Sequence, residues 1–236
     1  MIKSISIILP TLNEQGNIFK IYEGIKKEFI FNNYDLIFVD DGSIDLTRKN
    51  ILKLANKHKN INYVFRENDK DLSRSFIEGL IKSNSEYIIM MDSDLQHNPK
   101  DLNKLIKIIE QEDAKFVIGS RFLDSSLING SFLYKFLRIN LSKFVIFILY
   151  NFLDIKLSDP LSGFFIIKKE TFLIYKNNLY KSGWKIMLDF YLSSKKNLDI
   201  FEVPISIDTR KEGYSKLNLN VFINLIKLLF HHYKTR

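Results

Sequence analysis

The stretch Tyr87-Ile88-Ile89-Met90-Met91-Asp92-Ser93-Asp94-Leu95-Gln96 decides the fold. Five consecutive apolar residues are too few for a helix and too uninterrupted for a strand with one wet face. They predict a strand covered on both sides, closed by an acidic turn. The same grammar recurs upstream: Ile5–Leu9 ends at Pro10, Leu36–Val39 ends at Asp40-Asp41-Gly42, and Asn62–Phe65 ends in polar residues. Downstream, Phe116–Ile118 ends at Gly119-Ser120-Arg121. Between these runs, apolar residues return at helical spacing: Ile18, Ile21, Tyr22, Ile25 and Phe29, then Leu46, Ile51, Leu54 and Ala55, then the segments near 73–82 and 102–109. Strand and helix alternate, which predicts an α/β fold with a mostly parallel sheet and helices on both faces.

In such a sheet, ligands bind beyond the carboxyl ends of the strands. Thr11–Glu14, Asp40–Ser43 and Asp92–Gln96 each follow a strand, so three polar clusters distant in sequence are expected to share one crevice. Asp92 and Asp94, two apart on a turn, can aim carboxylate oxygens at one divalent cation, and the Gln96 amide adds a neutral oxygen. Oxygen ligands of this kind suit Mg²⁺ or Mn²⁺. Asp41 is placed to accept hydrogen bonds from a nucleobase or ribose, with Ser43 or Asp45 as helix-capping candidates. Glu14 is expected in the first turn of the following helix, where the dipole favours an acid. Arg121 offers a guanidinium fork for a phosphate, and Arg210 and Lys216 lie in a polar, basic loop, 209–216. The four histidines, His58, His97, His231 and His232, show no zinc spacing.

Bulk properties narrow the class. The chain has 236 residues, 46% of them apolar, enough for one sizeable core. It holds no cysteine, which removes thiol nucleophiles, disulfides and thiolate metal sites. Its net charge of +8 favours anionic partners. Nucleic acid is not expected among them, because acids at every strand end would repel phosphate unless a cation intervened. The amino terminus does not read as a signal peptide, and no run reaches the roughly 18–20 apolar residues of a membrane span. Residues 131–153 are rich in Phe, Leu and Ile, with Lys135, Arg138 and Lys143 among them. Residues 217–236 place Phe222, Leu225, Ile226 and Leu229 at helical spacing ahead of a basic tail. Both segments are amphipathic: each either packs on the sheet or lies in a lipid headgroup layer.

Seven short motifs, in order, then match a known pattern. They are Pro10-Thr11-Leu12-Asn13-Glu14, Val39-Asp40-Asp41-Gly42-Ser43, Met91-Asp92-Ser93-Asp94-Leu95-Gln96-His97, Gly119-Ser120-Arg121-Phe122, Ser158-Asp159-Pro160-Leu161-Ser162-Gly163-Phe164, Glu202-Val203-Pro204 and Gly213-Tyr214-Ser215-Lys216. Together they resemble the family 2 glycosyltransferases, in particular the branch that includes dolichyl-phosphate mannose synthase and the polyprenyl-phosphate sugar transferases. The resemblance implies a nucleotide-diphospho-sugar transferase (GT-A) fold over residues 1–216. It implies a donor site lined by Pro10, Leu12, Glu14, Val39, Asp41, Met91, Asp92, Ser93 and Asp94, and a metal held by Asp92, Asp94 and Gln96. It further implies that Arg121, Arg138, Arg210 and Lys216 meet donor or acceptor phosphates, and that Asp92, Asp94, Arg121 and Asp159 carry catalysis, with Asp159 positioning the acceptor or the basic loop.

The implied reaction is inverting transfer of a hexose, mannose from GDP-mannose or glucose from a UDP donor, onto a polyprenyl or dolichyl phosphate. The enzyme would be peripheral on the cytoplasmic face of a membrane. Transfer to a sugar hydroxyl in polysaccharide or glycolipid assembly is the alternative. The chain departs from the pattern in having Leu12 where close relatives carry an aromatic residue, Asp71-Leu72 where many carry Gly-Leu, and Ser93 where Ala is usual.

Overall fold

The computed structural model describes residues 2–67, 70–124, 146, 149–151, 155–195, 197–208 and 219–234, with side chains omitted for 219–222. Arg138, Arg210, Lys216, the Phe222 side chain and most of the 131–153 segment therefore lie outside what is described.

Seven strands form one sheet: β1 (Ile5–Thr11), β2 (Tyr34–Asp40), β3 (Ile61–Phe65), β4 (Tyr87–Met90), β5 (Phe116–Ser120), β6 (Phe165–Lys168) and β7 (Phe201–Pro204), in the order β3-β2-β1-β4-β6-β5-β7. β1 pairs in parallel with β2 and β4, β2 with β3, and β5 with β7. β6 runs antiparallel between β4 and β5. The sheet is thus mostly parallel, as expected, with one reversed strand that periodicity did not reveal. Because β6 is reversed, the loop that leads into it emerges at the same edge where β1, β2, β4 and β5 end.

Each face of the sheet has its own core. Ile5, Ile7, Leu9, Leu36 and Phe38 point to the face covered by α1 (Ile18–Glu28), α2 (Thr47–Ala55) and α4 (Leu102–Glu112). Ile8, Ile37 and Val39 alternate to the other face, under α3 (Leu72–Lys82), α5 (Lys169–Tyr175), α6 (Ile186–Ser193) and α7 (Leu219–Lys234). Gly79 lets α3 settle onto the strands, since a Cβ there would lie 2.7 Å from an Ile8 methyl. Asp71 caps α3 by accepting from the Arg74 N–H at 3.0 Å. This is what the departure from Gly-Leu provides.

All eight residues of α6 are buried, so it carries no polar face. Its Asp189, fully buried, accepts from the N–H groups of Tyr180 and Lys181 at 3.0 Å each and meets His232 Nε2 at 2.7 Å. That contact pins α7 to the core. The expected apolar face of α7 divides: Leu225 and Leu229 pack inward, while Ile226 points out and is 51% exposed. Among the described residues, no helix is long and apolar enough to cross a membrane.

Replacing Asp189 with Ala removes the shared partner of two part-buried N–H groups and of the buried His232 ring. Leaving donors of this kind without a partner costs about 1–3 kcal/mol each. Asp189→Ala is therefore expected to lower Tm by roughly 10 °C, at about 2–4 °C per kcal/mol for a chain of this size. Calorimetry or circular dichroism melts check this.

Candidate active site

Segments that follow β1 to β5 and β7, together with the β6 entry loop, meet at one edge of the sheet. Loop 11–15 is joined to loop 43–47 by five hydrogen bonds: Asn13 N–H to Ser43 Oγ, Ile44 N–H to Asn13 Oδ1, Glu14 N–H to Thr47 Oγ1 and Leu46 N–H to Gln15 Oε1, all between 2.8 and 3.0 Å, and Gln15 N–H to Asp45 Oδ2 at 3.3 Å. Thr47 N–H also donates to Asp45 Oδ1, so Asp45, just outside the helix, accepts from its first residue. Ser43 serves loop 11–15 instead. Glu14 precedes α1 and does not lie in its first turn, because the helix begins only at Ile18. Its buried carboxylate accepts from Asn17 Nδ2 at 2.6 Å, a contact that orders the chain just ahead of the helix.

Asp41 sits at the tip of β2. Its N–H donates to Thr11 C=O at 2.8 Å, tying it to β1. Its carboxylate accepts from the Arg66 guanidinium and, at 2.6 Å, from the Asp71 N–H. Burial pushes the Asp41 carboxyl above its ordinary 3.8, against the opposing pull of Arg66 and the Asp71 N–H. Arg66 is buried at the end of β3 and also reaches Glu78 at 2.8 Å. No periodicity marked it in the sequence. Its signal was only that it follows a strand, the same signal that pointed to Arg121. Asp40, next in the chain, accepts from Arg48 Nε at 2.6 Å and the Ser43 N–H at 3.1 Å.

The acidic turn after β4 is tied in three directions. Ser93 Oγ donates to Pro10 C=O at 2.9 Å. Gln96 donates from Nε2 to Asp208 C=O at 3.2 Å and accepts from the Asp208 N–H at 2.9 Å. Its own N–H donates to Asp94 Oδ1 at 3.1 Å. Asp92 backs onto Gly163, where a Cβ would lie 3.2 Å from Asp92 Oδ2, so the closeness of the β6 entry loop depends on glycine. His97, buried and packed on the Phe164 ring at 5.0 Å, accepts from the Asp92 N–H at 3.4 Å. Sequence alone gave His97 no role. The Asp92 side chain is 38% exposed whereas Asp94 is buried, so Asp92 presents the more accessible carboxylate.

Arg121 and Asp159 form one unit. Asp159, fully buried, accepts from Arg121 Nε at 2.6 Å, Nη2 at 2.7 Å and the backbone N–H at 3.1 Å. One edge of the guanidinium is therefore engaged by the protein, and Asp159 positions Arg121. Of the expected donor-lining residues, Leu12 is half-buried, while Val39 and Met91 have no exposed surface and sit within the two cores. In this structure neither presents surface to a ligand. Among the described residues, no three His, Cys, Asp or Glu side chains cluster as a ready metal site. Asp92, Asp94 and Gln96 nevertheless share one tethered turn, and their donors are oxygen atoms of the hardness that Mg²⁺ or Mn²⁺ takes.

With this geometry in place, the kinship of the chain is plain. Residues 6–173 match the profile of Glycosyl transferase family 2, and the chain belongs to that family. A dolichol-phosphate mannosyltransferase of Pyrococcus furiosus is 30% identical over 230 residues, covering 96% of this chain and 62% of that relative. The enzyme of the same name from Saccharomyces cerevisiae is 29% identical, covering 95% of this chain and 85% of its own length. Among solved structures, glucosyl-3-phosphoglycerate synthase from Mycobacterium tuberculosis, in complex with Mn²⁺, UDP and glucosyl-3-phosphoglycerate, superposes with a TM-score of 0.74 at 18% identity. It covers 98% of this chain and 80% of that one. The expected GT-A architecture is thereby established.

The raised Asp41 carboxyl has a measurable consequence. Between the unfolded value and the raised folded value the native state binds more protons than the unfolded state, so this group's contribution to stability falls as pH rises through that window. Asp41→Asn is expected to remove that fall. The check is chemical unfolding of both proteins from about pH 4 upward, the range set by an ordinary carboxylate.

Proposed function

We propose that this chain is an inverting, metal-dependent hexosyltransferase that moves a sugar from a nucleotide diphosphate, GDP-mannose or a UDP hexose, onto a polyprenyl or dolichyl phosphate at the cytoplasmic face of a membrane. The observation that carries the proposal is the pairing of an oxygen-rich acidic turn, Asp92–Gln96, with the Arg121–Asp159 unit at one sheet edge. The names of the mannosyltransferase relatives support the acceptor, and the Mn²⁺ in the solved complex of the same fold supports the cation.

Asp92, Asp94 and Gln96 would hold Mg²⁺ or Mn²⁺, which supplies charge neutralisation for the diphosphate as it leaves. Loop 11–15 and the Asp41 tip would carry the nucleoside. Arg121, already fixed by Asp159, would face a phosphate with the rest of its guanidinium. Arg138, Arg210 and Lys216, outside the described residues, are assigned by resemblance to the same anions. An oxygen of the acceptor phosphate attacks the anomeric carbon while the bond to the diphosphate breaks and its electron pair leaves with the diphosphate. The attacking phosphate is already anionic, so no general base is needed, and positioning and charge stabilisation account for the rate.

The outer face of α7 suits the membrane side of this proposal. Ile223, Ile226, Phe230 and Tyr233 are 39–69% exposed along one stripe, flanked by the exposed Lys227 and Lys234, and the helix contains no acid. Such a face fits an anionic headgroup layer.

Radiolabelled donor, Mn²⁺ and dolichyl phosphate are expected to yield label in organic-extractable lipid; label confined to water-soluble glycan would overturn the lipid acceptor. Chelation should abolish transfer and added Mn²⁺ restore it, with Asp94→Ala lowering turnover by about 10²–10³. Ile226→Glu with Phe230→Glu is expected to weaken co-sedimentation with acidic vesicles at least ~10-fold, since each apolar side chain contributes about 1.5–3 kcal/mol when buried. Tm should be unchanged.

A further inference from the structure

Glu202 lies on β7, opposite Ile118 of β5, two residues short of the strand end where Arg121 emerges. Its carboxylate faces across to the Ser158-Asp159 turn. Oε1 accepts from Ser158 Oγ at 2.7 Å, the Ser158 N–H at 3.1 Å and the Asp159 N–H at 3.3 Å, and Oε2 accepts from the Ser158 N–H at 3.0 Å. Among the described residues its partners are neutral N–H and O–H donors, so its contribution is directional and not the neutralisation of a cation.

The direction extends further. Ser158 Oγ spends its one proton on Glu202, so in its 2.6 Å contact with Ser120 Oγ it must accept. Ser120 is thereby the donor, and its oxygen accepts in turn from the Phe122 N–H at 3.2 Å. The residues on both sides of Arg121 are thus fixed through Ser158 to Glu202. Arg121 itself is fixed to Asp159, whose own N–H also reaches Glu202. The Asp159 contacts of Arg121 and the Ser120 contacts beside it thus lead back to the Glu202 carboxylate.

We infer that Glu202 is the positioning residue for Arg121. It holds the 158–159 turn in register with the end of β5, so that Asp159 presents Arg121 to a phosphate at a fixed place. This rests on the proposal above that Arg121 meets a donor or acceptor phosphate. Glu202→Gln keeps the shape but turns an NH₂ toward backbone N–H donors, which forces the turn to shift.

The test is a double-mutant cycle on transfer, with kcat and the KM for dolichyl phosphate and for GDP-mannose measured separately and Tm recorded for each protein. Glu202→Gln is expected to lower kcat/KM by about 10- to 100-fold, the loss typical of disturbing a group that orients an active-site residue. It should raise the same KM that Arg121→Ala raises and leave the other unchanged. The double variant should be no worse than Arg121→Ala alone, because the second change has nothing left to misplace. Ser120→Ala, which cuts the relay without touching either charge, should shift that same KM by a smaller factor, and it serves as the reporter if Glu202→Gln folds poorly. Losses that multiply, or a fully active Glu202→Gln beside an inactive Arg121→Ala, would overturn the inference alone. A fully active Arg121→Ala would overturn the phosphate role of Arg121, and the inference with it.

Discussion

The acidic turn after β4 is held by segments that reach it from across the chain: Pro10 through Ser93, Gly163 against Asp92, and Asp208 through Gln96. Two acids close together repel each other, and a turn that carries them would open unless something opposed it. Here the opposition is mechanical. β1 ends beside β4 and gives a carbonyl, the reversed β6 brings in a glycine with no Cβ to push Asp92 away, and the segment after β7 exchanges two hydrogen bonds with Gln96. The strand order determines which segments can reach the turn, so the sheet topology fixes this loop.

Other acids at the edge are handled differently. Asp40 meets Arg48, Asp41 meets Arg66 and Asp159 meets Arg121, and all three carboxylates are buried. A charge withdrawn from water is tolerable only with a partner in good geometry, so these pairs are structural before they are anything else. Asp92 keeps more than a third of its side chain in water and needs less help. The site therefore separates acids that shape the crevice from the turn that offers oxygen to it.

Much of this was legible before the structure. β1, β2, β4 and β5 announced themselves because strands covered on both faces are continuous apolar runs, β3 being a partly exposed edge strand, and the rule that ligands bind at strand ends placed Glu14, Asp41 and Asp92 at the one sheet edge where the structure has them. β6 stayed hidden because Phe-Ile-Ile-Lys is four residues long and nothing in so short a run tells antiparallel from parallel. α6 stayed hidden because a helix buried on every side has no polar face and so no helical period. The partners were invisible for a different reason. Arg66 is 25 residues from Asp41, and Glu202 is 44 from Ser158. Only folding makes those pairs, and only the fold shows that the Asp71 departure is a cap and a tether.

That tether joins the two ends of the molecule's chemistry. His232 on α7 meets Asp189; Asp189 accepts from Tyr180 and Lys181; the next two residues, Ser182 and Gly183, donate to Asp71 at 2.7 Å each; and the Asp71 N–H donates to Asp41. Gly183 has φ +97°, a conformation a side chain would resist, and the turn needs it to aim its N–H at Asp71. The buried links of this path have little room to slide, since each carboxylate in it accepts from two or more donors. The exposed stripe of α7 and the Asp41 end of β2 are consequently parts of one hydrogen-bonded frame. Under the proposed function, a lipid surface resting on α7 would therefore lie at a set distance from Asp41, as transfer between a dissolved donor and an anchored acceptor would require.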